Sequence, residues 1–363
     1  MKIVYVITQA TWGGAQAHLY SLIQQQVRLG NTVTLVCGKT GWLSTRIGAD
    51  FPSVDVVPIS SLVRQIAPMR DLSAIHALRT LLRSKRPDVV HLHSSKAGMI
   101  GRLATARLGF NVIFTVHGWG FTPGVGKKRQ LLMKSIEKLL RHLTTYYICV
   151  SQFDYELGVQ NGVITKRRPG CVIHNGVTAL DTPVKPERRE RFVLSMAARF
   201  DAPKRQDILI RALSELPEEV PIVCNLLGDG PLLQECKNLA VRLNVSSKVQ
   251  FRGVVDNVQQ YYRQSDVAVL ISDYEALPIS LVEALAQRLP IIASHVGGID
   301  ELIHENGFLV DNDPKQIAEK IILLYQSNQM AQLKRNSYRI YEHQYTEQAM
   351  LEQTQACYLQ CLA

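Results

Sequence analysis

The sequence predicts an α/β protein built as two doubly wound parallel sheets that face a cleft. Three observations lead there. Short, continuous apolar runs, the mark of strands buried on both faces, alternate with helical stretches. The series occurs twice, on either side of a polar stretch, Asp181 to Glu190, whose two prolines and run of charges read as a domain boundary. The halves also differ in charge: residues 1–178 carry 22 Lys and Arg against 7 Asp and Glu, residues 179–363 carry 19 against 24. The expected division is 1–178, 179–345 and a terminal helix, 346–363, packing back toward the N-terminal half.

In the first half the strands are Lys2 to Thr8, Thr32 to Cys37, Asp88 to His93, Val112 to His117 and Tyr146 to Val150. Helices follow at Ala15 to Leu29, closed by Gly30, and at Leu72 to Arg83. The second half offers strands at Phe192 to Ala197, Ile222 to Leu227, Val249 to Arg252, Val267 to Ile271, Pro290 to Ala293 and Phe308 to Val310. Thr346 to Leu362 closes it as a helix.

Composition bounds the function. With 46% hydrophobic and 20% charged residues the chain is a globular, soluble type, neither disordered nor collagen-like. Its seven cysteines form no CxxC pair, so reduced thiols in the cytoplasm are expected rather than disulfides or a zinc site. The longest uncharged stretch, Ile3 to Val27, holds five glutamines and Gly13-Gly14; it suits neither a membrane span nor a signal peptide. The basic first half implies a polyanionic partner, and no nucleic-acid motif accompanies it.

Ligands of such sheets sit at the C-terminal ends of the strands, against helix N-termini. After the first strand comes Thr8-Gln9-Ala10-Thr11-Trp12-Gly13-Gly14, which is neither GxGxxG nor a P-loop, so a dehydrogenase is disfavoured. Alone, the glycine pair reads equally as a tight turn. His117 ends its strand in a glycine-rich loop, His117-Gly118-Trp119-Gly120, and is either a polar-ligand contact or a structural histidine. Arg199 and Lys204 flank the loop after the first strand of the second half; two cations there suit a diphosphate, or they are solvated surface charges. Downstream, Glu275-Ala276-Leu277-Pro278-Ile279-Ser280-Leu281-Val282-Glu283 places Pro278 in the first turn of a helix, with one carboxylate before it and one after. Carboxylates for sugar and ribose hydroxyls around the positive end of a helix would fit a sugar nucleotide. The plainer alternative is a dipole-favouring acid and one further Glu.

These motifs, in order, resemble the retaining two-lobed (GT-B) glycosyltransferases of family 4. They are Gly13-Gly14, Thr115-Val116-His117-Gly118, Asn175-Gly176-Val177, Arg199…Lys204, Gly228-Asp229-Gly230-Pro231, Glu275/Glu283 and Gly297-Gly298-Ile299-Asp300-Glu301. The His117 to Thr122 loop is most similar to enzymes of bacterial capsule, exopolysaccharide or O-antigen assembly. The resemblance implies that Arg199 and Lys204 neutralise the donor diphosphate, helped by backbone amides near Leu277, Ile279 and Ser280. It implies that Glu283 binds the ribose, that Glu275 and His117 contact the donor sugar, and that Gly13, Gly14 and Gly228 line the donor site. It further implies retention of anomeric configuration, no metal and no cofactor beyond the nucleotide-diphosphate sugar, with UDP the favoured base. Two departures stand out: Ala276 where glycine is common, and Asp300 where proline is common. Asp311-Asn312-Asp313 mimics a metal-binding DxD, yet Pro314 and a helix follow, so a turn and cap are expected.

For the acceptor, Lys127 to Leu143 carries six Lys or Arg and one Glu, with Leu132, Ile136, Leu139 and Leu143 at helical spacing. Lys127, Lys128, Arg129 and Lys134 could meet an anionic inner membrane carrying a lipid-diphosphate-linked acceptor, or the helix is core-facing with a solvated basic face. Leu62 to Arg70 is a weaker candidate of the same kind. The competing functions are a non-catalytic sugar-nucleotide-binding partner and a sugar-nucleotide hydrolase or epimerase of the same fold.

Overall fold

The computed structural model describes residues 1–180 and 191–363; the expected boundary stretch, Asp181 to Glu190, lies outside them. The chain forms two compact units, residues 1–175 with 347–363, and residues 176–346.

The first unit runs β1 (Lys2–Ile7), α1 (Gly14–Arg28), β2 (Thr32–Cys37), α2 (Trp42–Asp50), β3 (Asp55–Pro58), α3 (Pro68–Lys85), β4 (Val89–His93), α4 (Ser95–Thr105), β5 (Asn111–Val116), α5 (Lys127–Leu140), β6 (Tyr146–Cys149), α6 (Gln152–Gln160) and β7 (Gly170–Val172). The seven strands lie in the order β3-β2-β1-β4-β5-β6-β7, all parallel. The strands form where the apolar runs are, because helices cover both faces and leave no solvated side that would call for alternation. β3 and β7, absent from the sequence reading, are short edge strands with half-buried or exposed residues and a proline or glycine each. α3 starts at Pro68, whose missing amide costs nothing in a first turn. Ser94 caps α4 through the Ala97 amide, and Ser151 caps α6 through that of Asp154.

The second unit runs β8 (Phe192–Ala197), α7 (Gln206–Ser214), β9 (Ile222–Leu227), α8 (Leu233–Arg242), β10 (Val249–Gly253), α9 (Val258–Tyr262), β11 (Val267–Leu270), α10 (Ile279–Ala286), β12 (Ile291–Ser294), β13 (Gly307–Val310), α11 (Pro314–Tyr325) and α12 (Met330–Gln344). Its six parallel strands lie in the order β10-β9-β8-β11-β12-β13. Both sheets thus have the Rossmann-like order in which the first and fourth strands are neighbours. The fold class expected from the sequence, two doubly wound parallel α/β domains, is what forms.

The last helix, α13 (Glu347–Leu362), belongs to the first unit. Its Tyr358 is fully buried in a cluster with Ile3, Leu35 and Ile113. The Tyr358 hydroxyl lies 3.0 Å from that of Tyr5 and 2.6 Å from His91 Nδ1, so its polar end is paired inside the core.

Candidate active site

In such sheets the crevice opens where the strand order reverses, between the first and fourth strands. In the second unit that point lies between β8 and β11. The loop after β8 carries Arg199 to Lys204, and Lys204 pairs in an antiparallel bridge with Ser272, just beyond β11. The bridge puts the Lys204 ammonium on the Glu275 carboxylate, its ion-pair and hydrogen-bond partner; both side chains are largely buried. Arg199 pairs with Asp201 at 2.7 Å and is half exposed. The two cations expected at a diphosphate site are therefore both held by carboxylates, and Lys204 and Glu275, given separate roles by the resemblance, are in direct contact.

Two glycines make this crowding possible. Gly228, at φ 133°, passes so close to the β8 loop that a Cβ there would lie 2.2 Å from the Ala198 carbonyl oxygen. Gly297, at φ 61°, has the Glu275 carbonyl oxygen in the same position, 1.8 Å from a Cβ, and the Gly298 amide donates to Ala276 at 2.9 Å. The Gly297-Gly298 turn thus braces the Glu275 loop from behind, and any side chain at 297 would displace it.

Pro278 is not inside the first turn of α10, as the sequence suggested, but caps it: its carbonyl accepts the Leu281 and Val282 amides. That leaves Ile279 and Ser280 as the first-turn amides with no acceptor in the helix. Leu277 is buried behind them. Glu283 lies one turn further; its charge helps to raise the buried Tyr262 hydroxyl, and burial pushes its own carboxyl up to about 7. Asp300, the departure at a common proline, has an oxygen 2.7 Å from His295 Nε2, at hydrogen-bond distance. Asp313 caps α11 by accepting from the Lys315 and Gln316 amides, and Asn312 bonds Ser272, Asp273 and Ser294, the turn and cap expected there.

In the first unit the corresponding point lies between β1 and β4, where Thr8 Oγ1 meets Ser94 Oγ at 2.5 Å. Gly13 is extended and a Cβ there would meet only the side-chain end of Gln16, 2.9 Å away, and no backbone. Its carbonyl receives the Gln16 and Ala17 amides, which starts α1 at Gly14. His117, half-buried at the end of β5, accepts or shares a proton with His93 Nδ1 at 3.1 Å from its Nε2. His18 of α1 completes a group of three imidazoles whose nitrogens lie within 4.8 Å of one another. Burial holds all three well below the ordinary imidazole range, His18 down to about 4, so they are neutral at pH 7. The loop after His117 is anchored by Trp119, whose indole donates to the Asp154 carbonyl at 2.6 Å and stacks on Phe121. Sequence reading found His117 but neither His18 nor His93. His93 alternates along β4 with His91, and that repeat is the only signal the sequence carried.

On α5, Lys127, Lys128 and Arg129 are exposed and Lys134 is half-buried. The apolar stripe is split: Leu132 and Leu139 are exposed, with Leu131 beside them, Ile136 and Leu143 are half-buried, and Glu137 and Leu140 are buried. The reason is an unforeseen partner. Arg102 of α4, fully buried, binds Glu137 with two hydrogen bonds of 2.7 and 2.9 Å, and this pair turns the helix. Among the described residues no helix is long and apolar enough to cross a membrane.

Residues 12–179 match the family described as Glycosyltransferase Family 4, and residues 180–340 match Glycosyl transferases group 1. An Escherichia coli O-antigen biosynthesis glycosyltransferase, WbnH, is 27% identical over 88% of this chain and 89% of its own length. The E. coli UDP-Gal:alpha-D-GlcNAc-diphosphoundecaprenol alpha-1,3-galactosyltransferase is 28% identical over 77% of this chain and 76% of its own. The putative glycosyltransferase EpsD of Bacillus subtilis is 30% identical over 70% and 72%. Among solved structures, sucrose-phosphate synthase of Thermosynechococcus elongatus superposes with a TM-score of 0.85 at 20% identity, covering 99% of this chain and 98% of that one. Anabaena HepE in complex with UDP-glucose gives 0.80 at 20%, covering 99% and 100%. The chain belongs to the family 4, group 1 glycosyltransferases, and it is a transferase of the GT-B fold.

Proposed function

We propose that this glycosyltransferase moves a hexosyl residue from a nucleotide-diphosphate sugar, UDP favoured, to a lipid-diphosphate-linked glycan in bacterial surface-polysaccharide assembly, with retention at the anomeric carbon. The observation that carries the reading is the Lys204–Glu275 pair at the switch point of the second sheet. A cation held there by a carboxylate can exchange onto a diphosphate, and the exchange frees Glu275 for sugar hydroxyls. Arg199 and the Ile279 and Ser280 amides add positive potential on the same oxygens. As the anomeric C–O bond to the diphosphate breaks, its electron pair stays on the phosphate. The acceptor hydroxyl oxygen bonds the same face of the carbon and gives its proton to a departing phosphate oxygen. Preorganised cations take up the charge, and no metal is required for that step. Glu283 binds the ribose, Gly13 and Gly14 leave space for donor phosphates and acceptor, and Gly228 lines the donor site. His117 contacts the donor sugar.

The donor and acceptor assignments draw support from two similar proteins, the E. coli UDP-Gal:alpha-D-GlcNAc-diphosphoundecaprenol alpha-1,3-galactosyltransferase and HepE in complex with UDP-glucose. A cytoplasmic, membrane-peripheral location draws support from α5, where exposed Leu131, Leu132 and Leu139 accompany Lys127, Lys128 and Arg129. The test is a panel of UDP- and GDP-sugars with a polyprenyl-diphosphate-sugar acceptor, read by mass spectrometry and by NMR of the new linkage, with and without EDTA. Transfer with retained configuration, unaffected by EDTA, is expected. An inverted product or hydrolysis without transfer would overturn the reading.

A further inference from the structure

We propose that His18, His93 and His117 form a binding site for a late first-row divalent cation, Zn2+ or Co2+, in the first unit. Three neutral imidazoles from three different elements, α1, β4 and the β5 end, converge on one point. Their ring centroids are 5.7, 5.0 and 5.4 Å apart in the pairs 18–93, 18–117 and 93–117. Three imidazoles on one tetrahedral zinc, with Zn–N bonds of about 2.0 Å, would stand about 5 Å apart, centroid to centroid. The His93 Nδ1 to His117 Nε2 separation of 3.1 Å likewise approaches the edge of such a tetrahedron, about 3.3 Å.

Two further observations point the same way. His18 Nδ1 is buried and makes no hydrogen bond, although the Asn175 side chain lies against the same imidazole. His91, the fourth imidazole nearby, is excluded, since both its nitrogens are taken by Tyr358 and Thr115 at 2.6 and 2.7 Å. The set of three is therefore distinct, and half-buried His117 is its exposed side. With no carboxylate among the ligands, a bound cation keeps its charge and a fourth position for water or an anion.

The site stands on this geometry alone; its effect on turnover rests on the proposed function. A cation on His117 occupies the imidazole assigned to the donor sugar, so binding inhibits transfer.

The experiment is titration of the full, chelator-washed chain with Co2+ alone, followed by visible absorption. One Co2+ per chain is expected, with the strong d–d bands of four- or five-coordination and no thiolate band in the near ultraviolet. His18→Gln and His93→Gln, each checked for folding by thermal melting without metal, should each weaken binding at least 100-fold. No binding, a thiolate band from the cysteines, or unchanged affinity in either folded variant overturns the site. The wild-type spectrum decides the matter even if one variant fails to fold. Zn2+ is then added to the transfer assay. Inhibition reversed by EDTA supports both the site and the role of His117; tight binding without inhibition supports the site and removes His117 from the reaction.

Discussion

At the first sheet's switch point two hydroxyls, Thr8 and Ser94, meet, and neutral imidazoles stand at the strand ends. At the second sheet's, an ammonium meets a carboxylate. The order of strands is the same in both units, and the chemistry is opposite. It is also opposite to the bulk charge. The half with a large excess of Lys and Arg sets hydroxyls and imidazoles at this point, with the Lys96–Asp71 pair just beyond β4, and shows Lys127, Lys128 and Arg129 outside, on α5. The half with an excess of Asp and Glu brings a lysine to its strand ends. Net charge therefore describes the surface a unit shows to a polyanion, and says little about the groups at its crevice. Beside Lys96–Asp71, at 2.5 Å between α3 and α4, the first unit holds Arg102–Glu137 far inside, between α4 and α5, and the second holds Lys204–Glu275 at its strand ends; these last two are placed differently.

Breaking these two pairs tests the contrast most directly. Glu137→Ala strands the fully buried Arg102 guanidinium and should cost about 3–5 kcal/mol in urea unfolding, whereas Arg102→Met with Glu137→Leu should recover most of the loss. A cost below about 1 kcal/mol for the single change would mean that the pair is not the anchor of α5. Lys204→Ala should instead lower kcat/KM for transfer by about 100- to 1,000-fold with the fold retained in circular dichroism. Turnover close to wild type would remove Lys204 from the diphosphate.

A smaller effect separates the units by pH. Glu283 keeps its proton to about pH 7 in the folded chain and to about 4.5 when unfolded. The folded state thus binds more proton between those values, and the stability this gives at low pH is lost as pH rises through 7. Glu283→Gln escapes that loss. Its stability advantage should be near zero at pH 4 and grow to at most about 3 kcal/mol at pH 8. An advantage independent of pH would show that the carboxyl is not held protonated. Smallest of all, Tyr358→Phe removes the hydroxyl that joins Tyr5 to His91 and should cost about 1 kcal/mol; a neutral result in thermal melting would mean that the two partners re-pair with each other.

Much of the fold was legible because buried parallel strands are unbroken apolar runs: Thr32 to Cys37, Phe192 to Ala197 and Ile222 to Leu227 form as read, to the residue. The edge strands Asp55–Pro58 and Gly170–Val172 were not, since an edge needs little burial and tolerates Pro and Gly. At the site, local spacing marked Glu275, Glu283, Arg199 and Lys204. It could not show that Lys204 and Glu275, 71 positions apart, touch, because that contact depends on the pairing of two loops over adjacent strands. His18 and Arg102 were invisible for the same reason. A histidine in an amphipathic helix and an arginine beside apolar residues look ordinary until the partner from another element is known.

Helix α13 gives the first unit an unusual dependence. Tyr358 fills a core made by β1, β2 and β5, yet it leaves the ribosome after every residue of the second unit has been made. The nascent first sheet must wait with that face unsealed while a whole neighbouring domain is synthesised, so the part of the chain translated first is among the last to be finished.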